Sequence, residues 1–128
     1  MCIRDRYPHG EDAMFSRLVA THGLGLRWSS TAVVKEFVEA DRTTVKWCRN
    51  RQRISTDAWV RSDLDIDPSI KTRCLIAAKA AARLVQGLAT LAVGTVGRDE
   101  ATKVKGLALV AHVQGTVDGL VAFHRPQR

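Results

Sequence analysis

The sequence is poor in the residues that hold metals, build disulfides or carry covalent chemistry. Its three cysteines, Cys2, Cys48 and Cys74, stand far apart and never form a CxxC pair. An odd count at such spacing argues against a disulfide framework and against a zinc site, and suits a reducing, cytoplasmic setting. The four histidines, His9, His22, His112 and His124, have no ligand spacing, so neither a metal nor a cofactor is expected. No nucleophile motif, phosphate loop or paired-carboxylate arrangement is present. Asp63, Asp65 and Asp67 are the one concentration of carboxylates, and they lack the glycine and closing Glu of a calcium loop. No catalytic residue emerges, and the chain is not expected to be an enzyme. The leader has no apolar core, so no signal peptide is visible.

Acidic residues are also in short supply. Against 13 Asp and Glu stand 20 Lys and Arg, a formal net charge of +7. That balance favours polyanionic partners, nucleic acid first and an anionic membrane surface second. At 128 residues and 45% hydrophobic, the chain can build one modest core or two small ones. The charge is uneven. Six Lys or Arg and a single acid, Asp57, lie between Arg42 and Arg61, and the three aspartates follow at once. The switch suggests a basic docking surface bounded by an acidic hinge over residues 56–66.

The basic stretch belongs to a longer one, from Thr31 to Arg53. Val33, Val34, Phe37 and Val38 recur at helical spacing and predict a helix over Thr31–Val38, with Trp28 and Ser29 as staple and N-cap. Asp41 then caps a second predicted helix, Arg42 to about Gln52. At about 100° per residue, Arg42, Lys46, Arg49 and Arg53 fall in one narrow stripe, with Thr43 and Asn50 beside it. Thr44, Val45 and Cys48 lie opposite, where a small core could take them. A short helix with a packed back and a cationic, amide-bearing front suits the major groove of DNA: phosphates attract Arg and Lys, and Arg and Asn pair bidentately with guanine and adenine edges. The candidate DNA-binding residues are therefore Arg42, Thr43, Lys46, Arg49, Asn50 and Arg53.

Around this stretch the chain reads as follows. Met1–Arg6, MCIRDR, matches the translated end of a transposon adapter used in sequencing libraries and is set aside from fold reasoning; the true start is then lost or is Met14. A helix is expected over Glu11–Thr21, ended by Gly23 and Gly25. From Arg53 to Asp67, a short strand or a loose helical turn would both fit. Asp67-Pro68 signals a long helix to about Val93. Ile70, Cys74, Ala77, Ala81, Leu84, Leu88 and Leu91 alternate four and three apart along it, beside a second apolar row. Gly94–Gly97 makes a turn, and a last helix runs from Asp99 or Glu100 to about Phe123. Lys79, Arg83 and Gln86 sit mid-way in the long helix; each central cation costs about 3 kcal/mol on insertion scales, so no membrane span is expected. The heptad row instead offers an oligomerisation surface: Ala77, Ala81, Leu84, Leu88 and Leu91.

VVKEFVEADRTTV resembles the helix-turn-helix core of phage and bacterial DNA-binding proteins, whose usual form is close to I-A-x-x-L-G-V-S-x-x-T-V. Val34, Val38, Ala40, Asp41, Thr44 and Val45 match by position, while Lys35 stands for the usual Ala and Glu39 for the usual Gly. TVKWCRNR also echoes the third helix of homeodomains, one residue out of step. The motif followed by a helical hairpin resembles phage small terminase subunits. In that family the N-terminal unit binds packaging-site DNA and the hairpin builds a ring.

The expectation is an all-α protein. Residues 7–55 would form a three-helix helix-turn-helix unit, 56–66 a hinge, 67–124 a long helical hairpin, and 125–128 a tail. Its partners would be double-stranded DNA, further copies of itself and, in the small-terminase form, a large terminase subunit. A small transcriptional regulator and a non-DNA helical interaction module are the alternatives.

Overall fold

The computed structural model describes residues 11–25, 27 and 29–123. The adapter-like Met1–Arg6, the tail 125–128, Trp28, His9 and His124 lie outside the described residues. The described residues form four α-helices: α1 (Glu11–Thr21), α2 (Val45–Ile66), α3 (Ile70–Val96) and α4 (Glu100–Phe123), with a 3-10 turn at Ala40–Thr43 before α2. The chain is all-α, and no strand occurs among the described residues.

The termini of these helices follow from local chemistry. Helix α1 ends as a Schellman motif: Leu24 N–H donates to Val19 C=O at 3.0 Å and Gly23 N–H to Ala20 C=O at 3.1 Å. Gly23 sits at φ 72°, a left-handed conformation that glycine adopts without Cβ strain. Helix α2 begins three residues later than the sequence suggests. Thr44, not Asp41, is its N-cap, accepting from Trp47 N–H at 3.2 Å, because residues 40–43 are wound into the 3-10 turn. Asp67 precedes a proline, which disfavours helical dihedrals, and it leaves the helix at φ −136°, ψ 92°. Ser69, two residues beyond the expected cap, then accepts from Thr72 N–H at 3.3 Å to start α3. The Thr72 hydroxyl and Ser69 N–H hold the Asp67 carboxyl below the usual carboxylate range. At the other end of α3 a second Schellman pattern joins Asp99 N–H to Gly94 C=O at 2.9 Å, with Arg98 at φ 52° in the position glycine usually takes.

Two expectations are corrected. Residues 32–39 form no helix and are exposed, Phe37 at 97%. The apolar spacing of Val33, Val34, Phe37 and Val38 therefore meets no partner face, and a helix this short is marginal without one. The three-helix unit over 7–55 is accordingly not assembled in this structure. The expected hinge is also absent: 56–66 is the second half of α2 and holds its most buried residues, with Leu64 at 0% exposure. The aspartates there are engaged. Asp57 accepts from Arg61 at 2.7 and 2.9 Å, and Asp63 pairs with Arg17 of α1.

Helix α4 is the centre of the molecule. It packs along both α3 and α2, whereas α2 and α3 barely touch each other. The hairpin of α3 and α4 is antiparallel: the sites of Gly94 and Lys103, and of Gly87 and Leu109, face each other. Ala80, Gly87 and Gly94 are the buried residues of α3, seven apart, so the intramolecular seam is this small-residue row. Gly94 is thus inside the helix, packed against Lys103, and the turn falls at residues 97–99. By contrast α2 runs parallel to α4. Gly115 lies under Arg53 and Thr56, and Gly119 under Asp57 and Val60. The other side of α2 receives α1: Ser62 donates to Met14 Sδ at 3.2 Å, and the Arg17 guanidinium lies 4.1 Å from the Trp59 ring centroid. Burial of Thr56, Val60 and Leu64 on one side and of Ala58 and Ser62 on the other follows from this double packing.

Much apolar surface remains open on α3. Ala77, Ala81, Leu84 and Leu88 are exposed and Leu91 is half-buried against Gly106. Helix α3 is also long and apolar enough to cross a membrane by length and composition, with mean hydropathy 1.3 over its best window.

Candidate nucleic-acid interface

The six residues expected at DNA do not all share one helix face. Arg42 lies in the 3-10 turn and pairs with Glu36 at 3.6 Å. The Thr43 hydroxyl donates to Ala40 C=O at 2.6 Å, so it serves the turn. Arg53 pairs with Asp118 of α4 at 2.5 Å, a contact that further stabilises its charged form. Lys46, Arg49 and Asn50 stand together on the exposed first half of α2, with no intramolecular polar partner among the described residues. Arg51, which the stripe did not include, is exposed on the same turns. Val45 and Cys48, expected to pack on a small core, are exposed, Val45 at 42%. Aspartate at position 45 would therefore be tolerated at the helix N-terminus, where the helix dipole favours an anion.

The stripe has a structural continuation. Lys46, Arg49 and Arg53 lead at spacings of three and four into Thr56, Val60 and Leu64, the face that α4 covers. One helix face is therefore cationic and open at its start, then small, apolar and closed. Arg53 marks the join.

A second polar feature escaped the sequence. An open groove of about 530 Å³ lies where α2 and α3 diverge over α4. His112 of α4 is at its floor. Its Nδ1 lies 3.0 Å from the Thr56 hydroxyl of α2, and its Nε2 contacts the Arg83 guanidinium of α3. Arg83 can only donate, so Nε2 accepts and Nδ1 carries the ring proton, which the Thr56 hydroxyl accepts while itself donating to Gln52 C=O at 2.8 Å; the Gln52 side-chain amide also reaches Nδ1, at 3.2 Å. The Thr116 hydroxyl donates to His112 C=O at 3.0 Å. A neutral imidazole thus joins all three long helices. The one available signal was the pair of polar residues His112 and Thr116, four apart and so on one face of a helix whose middle, Leu107–Ala111, is apolar.

Burial, and then the positive charge of Arg83, lower the pKa of His112 below its ordinary value. The unfolded chain therefore binds a proton here before the folded one does. The stabilisation is complete above about pH 6.5 and is lost as pH falls through the folded value. Lys79 and Arg83 face the ring's surroundings from α3, and Asp63 of α2 is paired with Arg17, so among the described groove residues no free carboxylate opposes the shift. Urea midpoints are expected to fall between about pH 7.5 and 5.5, and less so in His112→Gln. An NMR titration placing the His112 ring above its ordinary pKa would contradict this.

Among the described residues, no group of three or more His, Cys, Asp or Glu is placed to hold a metal ion. The chain matches no protein-family model, no curated protein and no solved structure.

Proposed function

We propose that the chain binds double-stranded DNA through the first half of α2, with Lys46, Arg49, Asn50 and Arg51 as the contacting residues. The observation that carries this is electrostatic: three cations and an amide stand exposed on one projecting helix without carboxylate partners, in a chain of net charge +7. Phosphates are their natural complement, and a lone helix fits the major groove. Arg53 and Arg42 contribute after exchanging Asp118 and Glu36 for phosphate.

The same proposal includes self-association through α3, with Ala77, Ala81, Leu84, Leu88 and Leu91 covered by another copy. Several weak DNA contacts then add. The biological form is a small-terminase-like packaging subunit working with a large terminase, or a small transcriptional regulator, in the reducing cytoplasm that the exposed free Cys48 and Cys74 suit. The other reading is a helical protein-interaction module. It is favoured by the exposed Val33, Val34 and Phe37, which would need an apolar partner rather than DNA.

Binding to non-specific duplex DNA is expected to weaken steeply with salt, because displaced counterions drive it. Arg49→Ala and Lys46→Ala should each flatten the logarithmic salt slope by about 1 while leaving helicity unchanged. Fluorescence anisotropy at stepped salt measures both. Binding that ignores salt, or no binding at low salt, would reject DNA in favour of the interaction module.

A further inference from the structure

We propose that the groove between α2, α3 and α4 is a binding site for a small phosphate monoester with a flat apolar body. The site is independent of the basic half of α2 and of any role that half has with DNA.

The groove is graded along its length. Helices α2 and α3 run antiparallel from the turn at residues 67–69, so Trp59, Val60 and Ile76 lie nearest the turn, Lys79 and Ala80 at mid-length, and Ser55, Gln52 and Arg83 farthest out. One end is apolar and aromatic; the other is cationic and rich in donors. A volume of about 530 Å³ lies in the range of small-molecule sites. It is an inlet between helices, too narrow for a duplex.

At the polar end the charged groups are both donors. Lys79 and Arg83 are one helical turn apart, and no carboxylate pairs with either among the described residues. Their two charges match a phosphate dianion. The Arg83 guanidinium is held in place by His112 Nε2, which uses one edge and leaves other N–H groups for a ligand. The Ser55 hydroxyl has no hydrogen-bond partner among the described residues, whereas the Thr56 and Thr116 hydroxyls are already directed at carbonyl groups. The carboxylate in the groove, Asp63, lies toward the apolar end and is neutralised by Arg17. The Trp59 ring has Arg17 near its centroid and lines the groove, offering a surface to a planar group.

The test is a titration of the full chain, labelled with nitrogen-15, with inorganic phosphate, deoxyadenosine monophosphate and a short DNA duplex. Saturable shifts at Ser55, Gln52 and His112 are expected with the monophosphate, and weaker ones with inorganic phosphate. Lys79→Gln, which removes no ion pair or hydrogen bond among the described residues, should weaken the monophosphate by about tenfold, and Arg83→Gln by at least as much. Arg49→Ala should leave it unchanged. No saturable shift at the groove would overturn the site. So would groove shifts produced by the duplex alone, or monophosphate binding that survives Lys79→Gln and Arg83→Gln but not Arg49→Ala.

Discussion

Replacing Gly115 by alanine is expected to destabilise the protein by about 3 kcal/mol, although the same change in an exposed helix would stabilise it by about 1 kcal/mol. The sign is decided by what the new methyl meets. A Cβ at position 115 would lie 2.2 Å from the Arg53 carbonyl oxygen and 2.9 Å from Thr56 Cβ. The nearest atom is backbone, so no rotamer change can make room; α2 and α4 must separate. Separation strips cover from Val60 and Leu64 and pulls Thr56 from His112. Gly87→Ala is the control. Its Cβ would lie 3.1 Å from Leu109 Cβ and 3.4 Å from Val110 Cγ2 and N, so α3 and α4 need move apart by only a few tenths of an ångström. It should change stability by less than about 1 kcal/mol in either direction. Urea denaturation followed by circular dichroism separates the two. A Gly115→Ala protein as stable as the parent would mean that α2 does not dock on α4 through this seam.

Leu88→Lys is expected to convert an assembly into monomers. Leu88 is 55% exposed and its neighbour Val85 69%, so lysine here loses little packing within one chain. Its cost falls almost wholly on a contact with another copy, where an unpaired ammonium would be desolvated. The physical need for such a contact comes from the position of α4. Because α3 and α2 flank it without closing on each other, the layer leaves the apolar row of α3 open, and soluble monomers seldom expose large continuous apolar patches. Light scattering on the parent and the variant should give a multiple and a single chain mass, with helicity retained and DNA affinity reduced through lost multivalency. A parent protein that is already a monomer at tens of micromolar (about the range where weak homo-oligomers form) would remove the assembly from the proposal.

The helices that the sequence disclosed are those whose signals are local. Glu11–Thr21 and Glu100–Phe123 agree with the apolar spacing and end signals that predicted them. The long helix was also visible, but Asp67-Pro68 was misplaced as its cap because Ser69 competes for that role and has the better geometry. Gly94 reads locally as a turn residue, yet its use is to let α4 approach α3, which no local rule discloses. The continuous helix from Val45 to Ile66 was missed because its polar residues look loop-like until α1 and α4 supply partners on two sides. The opposite error befell residues 31–38, where a good helical pattern stands without a surface to bury it. At the candidate interface, spacing found Lys46, Arg49 and Asn50 but could not foresee that Asp118, sixty-five residues away in sequence, would claim Arg53. The groove was invisible for the same reason: its residues come from three helices and meet only in the folded chain.

Helix α2 has one further consequence, and it is mechanical. Its basic half and its buried half are a single unbroken rod of 22 residues, roughly 33 Å long at 1.5 Å per residue. No proline and no glycine interrupts it, so it has neither of the usual causes of a kink. A torque applied at Lys46 or Arg49 is therefore delivered to the seam under Gly115 and Gly119 instead of being lost in a swivel. In a multi-copy assembly the angle between successive basic arms would be set by the packing of the bundles. The arms would then act as fixed teeth on a gear, engaging only a partner whose pitch matches their spacing.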